Sequence, residues 1–562
     1  NQNFASLLQK QSGIFIRSNG RSGLNTASYK GMGTAQTPIV LNGANMQSTM
    51  NGTIDLSLLD PIHFSSTTIS SAESSTTGMN NMGETISLNS KSPKRALSLN
   101  ASLSSLMEKA LSAKFSKTNY KWSYGISAIG VQSDNVVNLS HYDIDSNQQN
   151  TDFQKFSLMQ TVGYKSSSFG SWTNTIYIQS SERGIPRKLY DLNVSRQEDR
   201  NFMMLNQYKK QFRNKLVLEV SNQIWQEQII FDNIVRGQIT NNLVNSVNSN
   251  VSLCKLLKDG SKAKLGLTNE QSYFSSEAIR NRVELNRGRG YVSFNKPINR
   301  YRFKVDLGAR PYLSNVKLDG KISGVAVLKK GYRTEFNVQK VYRLPVLNEL
   351  YWYEPGYALG NVNLKPEEGY KVDLKVSRAA NKLQLLLNPH AGMYSNWIEW
   401  GGVPVTSPKN IKDVLVIGTE VQASFEKEFK VNKLVSQMNY HWVRAVYQYE
   451  DTSDPRHGKQ TLYTPQHTAN VTLTYISKNY GVYFNEQFVG RNYFTSDNSA
   501  YLDAYLLSEL GGYYQLKKWR IGATASNLFD TPYFTQPNSP LPGRVFKINV
   551  NYTIPIKPWK EK

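Results

Sequence analysis

Side chains able to do chemistry are few in this chain, and their spacing argues for binding rather than catalysis. A single cysteine, Cys254, among 562 residues rules out a disulfide framework and a multi-thiolate metal centre. No G-x-S-x-G nucleophile turn and no H-E-x-x-H zinc helix occurs. Asp143, Asp145 and Asn147 set oxygens at alternate positions, as a calcium loop would, though they read more simply as solvated loop carboxylates. Arg287-Gly288-Arg289-Gly290 has the glycines of a phosphate loop. Tyr291-Val292-Ser293-Phe294 then continues as a strand, where such a loop would open a helix. Tyr351, Trp352, Tyr353 and Tyr357 crowd one loop and can stack on a planar ligand. The competing reading of these four is an interfacial aromatic girdle. The expected chemistry is recognition, with no cofactor, no metal ligand set and no enzyme activity.

The elements that must position such residues are strands. From about residue 90 onward, segments of roughly ten residues alternate in polarity and are separated by Gly/Asn/Ser-rich stretches. In the last of them Phe546, Ile548, Val550, Tyr552 and Ile554 share one face, with Lys547, Asn549, Asn551 and Thr553 opposite. Phe303, Val305, Leu307 and Ala309 oppose Arg302, Lys304 and Asp306. Ala469, Val471, Leu473 and Tyr475 oppose Thr468, Asn470, Thr472 and Thr474. Alternation of this kind serves a soluble sandwich or a membrane barrel equally well. The number of such segments without a helical interruption, and the Lys, Glu, Gln and Asn on the other face, favour the barrel. Residues 91–554 hold about twenty-two strands at roughly twenty residues per strand and connection. Ser146–Asp152, Trp352–Asn361 and Tyr449–Gly458 are candidate outer loops.

Composition narrows the setting. Mean hydropathy is -0.49, and no run approaches the 18 apolar residues of a spanning helix, so a helical membrane protein is excluded. The 33 Tyr, 22 Phe and 9 Trp suit interfacial girdles. Net charge is +24. Residues 1–90 are neutral, with Lys10, Arg17, Arg21 and Lys30 against Asp55, Asp60, Glu73 and Glu84, so the whole excess lies beyond them. A basic shell suits anionic lipid head groups, lipopolysaccharide phosphates or an anionic ligand. The basic residues are spread rather than clustered, which argues against nucleic acid. The chain opens at Asn1-Gln2-Asn3 with no signal-peptide pattern and reads as a mature or trimmed form.

Residues 1–90 follow another pattern. Phe4, Leu7 and Leu8 sit at helix spacing, and Gly13 stops that helix. Ile14-Phe15-Ile16 reads as a short strand. Pro38-Ile39-Val40-Leu41 runs into a tight turn at Asn42-Gly43. This is a small α+β unit ahead of a β array.

Tyr29-Lys30-Gly31, Pro38 to Gly43, Tyr342 to Pro345, Asn348 to Trp352, Gly360 to Glu367, Tyr463 to His467 and Asn527 to Asp530 are ordered strings spread across nearly the whole chain, and together they resemble those of the TonB-dependent receptor family, most of all its vitamin B12 receptor branch. Tyr29-Lys30-Gly31 with Pro38 to Gly43 resembles the core of the family's plug. Asp55-Leu56-Ser57 with Pro61 resembles the segment after the plug's apical loop. Gly78 and Gly83 before Ile86-Ser87-Leu88 resemble its close. Tyr342-Arg343-Leu344-Pro345, Asn348-Glu349-Leu350-Tyr351-Trp352 and Gly360 to Glu367 resemble the barrel's "RxPxxNELY…GNPxLKPE". Tyr463-Thr464-Pro465-Gln466-His467 resembles "YxPKH". Asn527-Leu528-Phe529-Asp530, Tyr533 and Pro542-Gly543-Arg544 resemble the string before the last strand.

The resemblance implies an outer-membrane all-β transmembrane barrel of about 22 antiparallel strands. A plug domain (1–90) would lie inside the barrel (91–554), with a tail at 555–562. It implies a small-molecule ligand at the plug apex, Asn45, Met46, Gln47, Ser48, Thr49, Met50 and Asn51, and at the aromatic outer loop. It also implies a TonB-type energising partner in the periplasm, and a surface lipoprotein or complex partner is a further expectation. Family haem receptors carry a histidine between the two barrel strings, and none lies between Pro345 and Asn361; the plug's one histidine, His63, looks internal.

Four departures stand out. Lys30 replaces the plug arginine, Ser70-Ser71-Ala72 replaces a second arginine site, Glu84 replaces a glycine, and the chain runs past its last aromatic strand to Lys562. The family's TonB box has no counterpart after Asn1. The expected function is nutrient uptake, a cobalamin-like corrinoid first and a ferric siderophore second. The alternative is a transport-inactive, receptor-like barrel serving as a structural subunit of a larger outer-membrane complex.

Overall fold

The computed structural model describes residues 3–71, 82–90, 96–277, 279, 282–312, 315–354, 356–402, 404–411 and 413–556. Asn1, Gln2, Ala72, Glu73, Gly78 and Lys562, named above, lie outside them, as does the tail beyond Ile556.

Twenty-two antiparallel strands close into one barrel, from Ala96–Ser104 to Val545–Pro555. Closure is made by the last strand pairing with the first, Asn551 opposite Asn100 and Ile554 opposite Leu97. No sheet edge is left in lipid, the condition for spanning a bilayer with strands. The alternation resolves as expected for a membrane barrel. Phe303, Val305 and Leu307 point outward, while Asp306 is 1% exposed. Leu267, Ile322, Leu473 and Ile548 join the outer apolar band, and Glu420, Thr468 and Asn470 turn inward.

The two rims differ. Connections at one end, such as 119–121, 299–300, 381–382 and 517–518, are two to five residues long. Positive φ at Asn299, Asn381 and Lys517 turns the chain there. The other end carries the long connections 134–152, 344–366, 396–412, 449–466 and 527–544. All three candidate outer loops fall at this end. Exposed aromatics gather near the short turns, among them Tyr120, Trp122, Phe169, Tyr301, Tyr480 and Trp519, as at a membrane–water interface.

Strand length also varies around the wall. Ser195–Gln211, Leu216–Asn233 and Gln238–Leu256 have 17, 18 and 19 residues. His467–Ile476, Tyr480–Val489 and Trp519–Ser526 have 10, 10 and 8. An 18-residue strand is about 60 Å long, more than a tilted strand needs to cross hydrocarbon about 30 Å thick.

The leading unit sits inside the barrel. Helix α1, Phe4–Ser12, is capped by the Asn3 side chain, which accepts from Ser6 N at 2.7 Å, and it ends at Gly13 with φ 65°. Strands β1 (Phe15–Ser18) and β2 (Asn25–Ser28) pair as a hairpin. Strands β3 (Ile39–Leu41), β4 (Ala44–Asn45), β5 (Ser66–Ser71) and β6 (Glu84–Asn89) form a four-stranded sheet in the order β4-β3-β6-β5. Asn42 and Gly43 both have positive φ, 50° and 87°, as a two-residue hairpin turn requires. The plug core, with Phe4, Ile14, Leu41, Leu56 and Ile86, continues into the barrel wall at Met159, Tyr177, Met203 and Trp225. Plug and barrel therefore share one hydrophobic core on that side.

Candidate ligand site

The plug loop 46–55 leaves β4 and climbs toward the long-loop end. A short helix, Leu347–Tyr351, packs on its tip: Asn348 N donates to Met50 O at 2.8 Å. Arg343 anchors that helix from the barrel wall. Its guanidinium bridges Glu349, at 3.0 and 3.1 Å, and Glu367. Glu367 also accepts from the plug's Gln36 Nε2 at 3.1 Å. The strings Tyr342-Arg343-Leu344-Pro345, Asn348-Glu349 and Pro366-Glu367 thus have one physical role. Together they tie loop helix, wall and plug with buried, charge-assisted bonds.

Beside the loop lies a cavity of 570 Å³ facing the tall wall. The plug supplies Leu24, Met46, Met50, Asn51 and Asp55, and the loop after the short helix supplies Trp352 and Tyr353. Barrel strands add Gln179, Arg183, Asp199, Trp225, Glu227 and Phe231. Arg183 is the electrostatic centre, with Nη1 2.6 Å from Asp55 Oδ2 and Nη2 3.0 Å from Asp199 Oδ2. Asp55 also accepts from the backbone N–H of Asn25 and Ser57, which fixes the loop's descent. Ser48 Oγ donates to Glu227 at 2.5 Å.

The predicted site residues divide between two faces. Met46 and Asn51 line the large cavity with Trp352 and Tyr353. Asn45, Gln47, Ser48 and Thr49 line a smaller cavity of 110 Å³ on the loop's other side. Gln47 Nε2 folds back onto Gly52 O at 2.8 Å, so it braces the loop. Thr49 Oγ1 is 3.3 Å from Ser246 Oγ on the wall. Tyr351 packs against the clusters around Phe274 and Leu364. Tyr357 stands outside, more than half exposed, under the Arg236 guanidinium at 4.2 Å. The aromatic loop is thus a folded roof element rather than a membrane girdle.

Sequence reasoning missed the barrel half of this site. Gln179, Asp199 and Glu227 lie on the polar faces of their strands, so alternation alone marks them as inward-facing. Their meeting with Asp55 depends on strand register and plug seating.

His63 is 1% exposed, its two ring nitrogens each 2.8 Å from a serine hydroxyl, Ser127 and Ser157. Both ring nitrogens are thus engaged by protein hydroxyls. Among the described residues no group of three His, Cys, Asp or Glu is arranged to hold a metal.

Two of the departures in the plug, Lys30 and Glu84, are partners of one another. Lys30 Nζ lies 3.6 Å from Glu84 and 3.8 Å from Glu420 of the barrel. Burial pushes the Glu84 carboxyl up, but Lys30, Lys371 and Lys321 outweigh it and hold it down to about 2. Lys30 and Gly31 both have positive φ, 52° and 77°, and a Cβ on Gly31 would stand 2.9 Å from Val416. Only glycine permits so close an approach to the wall there.

A closed, lipid-facing barrel stoppered by its own leading domain, with a cavity between stopper and outer loops, is a plugged outer-membrane receptor. The chain belongs to the TonB-dependent receptor family: the family's β-barrel, described as "TonB dependent receptor-like, beta-barrel", matches residues 84–528, and its "TonB-dependent Receptor Plug Domain" matches residues 1–84. Among curated proteins it is similar to the vitamin B12 transporter BtuB of Photobacterium profundum, 23% identical over 218 residues. That match spans 38% of this chain and 34% of the relative. Among solved structures, the FrpB iron transporter of Neisseria meningitidis superimposes with a TM-score of 0.81 at 11% identity, covering 99% of this chain and 97% of that one. The copper transporter OprC gives 0.80 at 14% identity, covering 98% and 95%. The siderophore receptor PirA of Acinetobacter baumannii gives 0.79 at 12% identity, covering 98% and 96%. These structural likenesses establish the fold.

Proposed function

We propose that this receptor binds a scarce small nutrient at its outer face and admits it by plug rearrangement, driven by a TonB-type protein in the periplasm. A cobalamin-like corrinoid is the first candidate. The observation that carries this reading is the 570 Å³ cavity, with Met46 and Asn51 of the plug on one side and Trp352 and Tyr353 of the outer loop on the other. A large ring edged with amides suits apolar walls with a few placed polar groups. The partial similarity to a vitamin B12 transporter supports the same choice. A ferric siderophore is the second candidate, supported by the fold shared with a siderophore receptor.

The test is uptake of labelled cyanocobalamin by cells expressing the protein, with and without an energised inner membrane. Energy-dependent uptake that falls about tenfold in Asn51→Ala or Trp352→Ala is the expected result, of the size that one lost buried contact gives. Uptake indifferent to energy removes the reading.

A structural, transport-inactive subunit is the other reading. It is favoured by Ser70-Ser71 at a site where the family carries arginine; the barrel's Lys321 Nζ meets the backbone oxygen of Ser71 there, at 3.4 Å. A stable stoichiometric protein partner covering the loops, together with no uptake, would establish it.

A further inference from the structure

The cavity's charge opposes that of the chain. The protein carries +24, yet the described residues lining this cavity include Asp55, Asp199, Glu227, Glu277 and Glu354 and one cation, Arg183. Arg183 is committed to Asp55 and Asp199. Glu354 meets Arg236 at the rim, 3.3 Å away. Glu227 has no ion-pair partner within 4 Å among the described residues and is met only by the Ser48 hydroxyl. Two donors in the same wall have no protein acceptor: Gln179 Nε2, on a side chain 1% exposed, and Trp225 Nε1, on one 6% exposed. Leaving buried donors unmade is costly, and both side chains line the cavity.

Taken as the receptor's binding site, as the proposed function requires, this cavity has a definite selectivity. We propose that it selects an uncharged or cationic ligand with an apolar body, whose amide or amine N–H groups meet Glu227 and whose carbonyl oxygens accept from Gln179 and Trp225. Polyanionic ferric chelates are excluded. A chelate anion would be desolvated beside Glu227 and Asp199, where water and salt screen repulsion poorly. A carboxamide satisfies both needs of the wall, because one group carries donors and an acceptor. The basic surface outside would still concentrate anions near the protein, so rejection of an anionic ligand happens at the cavity and not on approach.

The experiment is equilibrium binding to the purified full chain in detergent micelles, with two probes. Cyanocobalamin is uncharged overall and rich in amides, and a ferric tris-catecholate is a trianion. The expected result is saturable binding of cyanocobalamin and none of the tris-catecholate. Trp225→Phe, which keeps the ring and removes the donor, weakens cyanocobalamin about five- to tenfold. Glu227→Gln, nearly isosteric, weakens it less than Glu227→Lys does. Tris-catecholate binding as tight as cyanocobalamin overturns the ligand class. So does cyanocobalamin affinity unchanged in both Trp225→Phe and Glu227→Gln, or binding of neither probe. The uptake assay reads the receptor separately. Energised uptake of the tris-catecholate keeps the receptor and discards the ligand class, whereas no energised uptake of either probe removes the receptor reading.

Discussion

At the scale of single residues, His63 gives the plug an acid sensitivity. Burial lowers its pKa from 6.5 to about 4, with Lys155 and Lys114 acting in the same direction and Asp60 against them. The unfolded plug therefore takes up a proton before the folded one does. This residue's contribution to stability is complete above about pH 6.5 and is lost as pH falls toward 4, with a slope approaching ~1.4 kcal/mol per pH unit. Plug hydrogen exchange, corrected for intrinsic rates, should accelerate more steeply between about pH 6.5 and 5 in the native chain than in His63→Gln, with the plug carboxylates adding a shared acid slope below that. Equal acid slopes in the two proteins would refute the assignment. Single residues also show where the sequence misleads. Lys30 and Glu84 each read as the loss of a family feature, yet they are within ion-pair distance of each other, and Lys30 reaches Glu420 as well. A pair separated by 54 positions is invisible to a scan that scores each position alone.

At the scale of elements, the short helix Leu347–Tyr351 depends on one guanidinium. Arg343→Ala would leave Glu349 and Glu367 buried without their cation, a loss of about 3–5 kcal/mol for a broken buried pair. The helix would loosen and release the Met50 carbonyl. Hydrogen exchange should rise across residues 344–366 and in the plug loop 46–55 together. A rise in the loop alone would show that helix and plug are not coupled. The strands were the legible part of the sequence, because period-two alternation is local and repeats many times. Helix α1 was legible from Phe4, Leu7, Leu8 and Gly13. The roof helix was not. Its five residues are too short for a periodic signal, and it is held by tertiary bonds rather than by propensity.

At the scale of the whole molecule, the barrel turns an apolar band outward, and its inner face is polar except where it packs on the plug core. Leu267, 66% exposed on that face, is a fair probe of it. Leu267→Arg should destabilise the folded barrel by about 2–4 kcal/mol if it sits near the bilayer midplane, and less toward the interface. Reversible unfolding from lipid vesicles measures this, and a neutral result would place Leu267 away from hydrocarbon. The barrel's presence and strand count were readable because residues 91–554 repeat one pattern. The cavity was not, because Asp55, Arg183, Asp199 and Glu227 meet only after closure and tilt set how far each strand climbs beside the plug.

The uneven height of the barrel has a further consequence. Strands of 17–19 residues form a hydrogen-bonded parapet behind the cavity, and the connection crowning two of them, 234–237, is four residues long. Opposite, the connections 449–466, 490–504 and 527–544 each join a strand of only 8–10 residues to a longer neighbour. A parapet knitted strand to strand cannot swing without breaking its ladder, whereas loops can. Traffic at this mouth is therefore one-sided: the tall side serves as a fixed backstop, and any shutter over the cavity is built from the loops beyond it, the roof connection 344–366 among them.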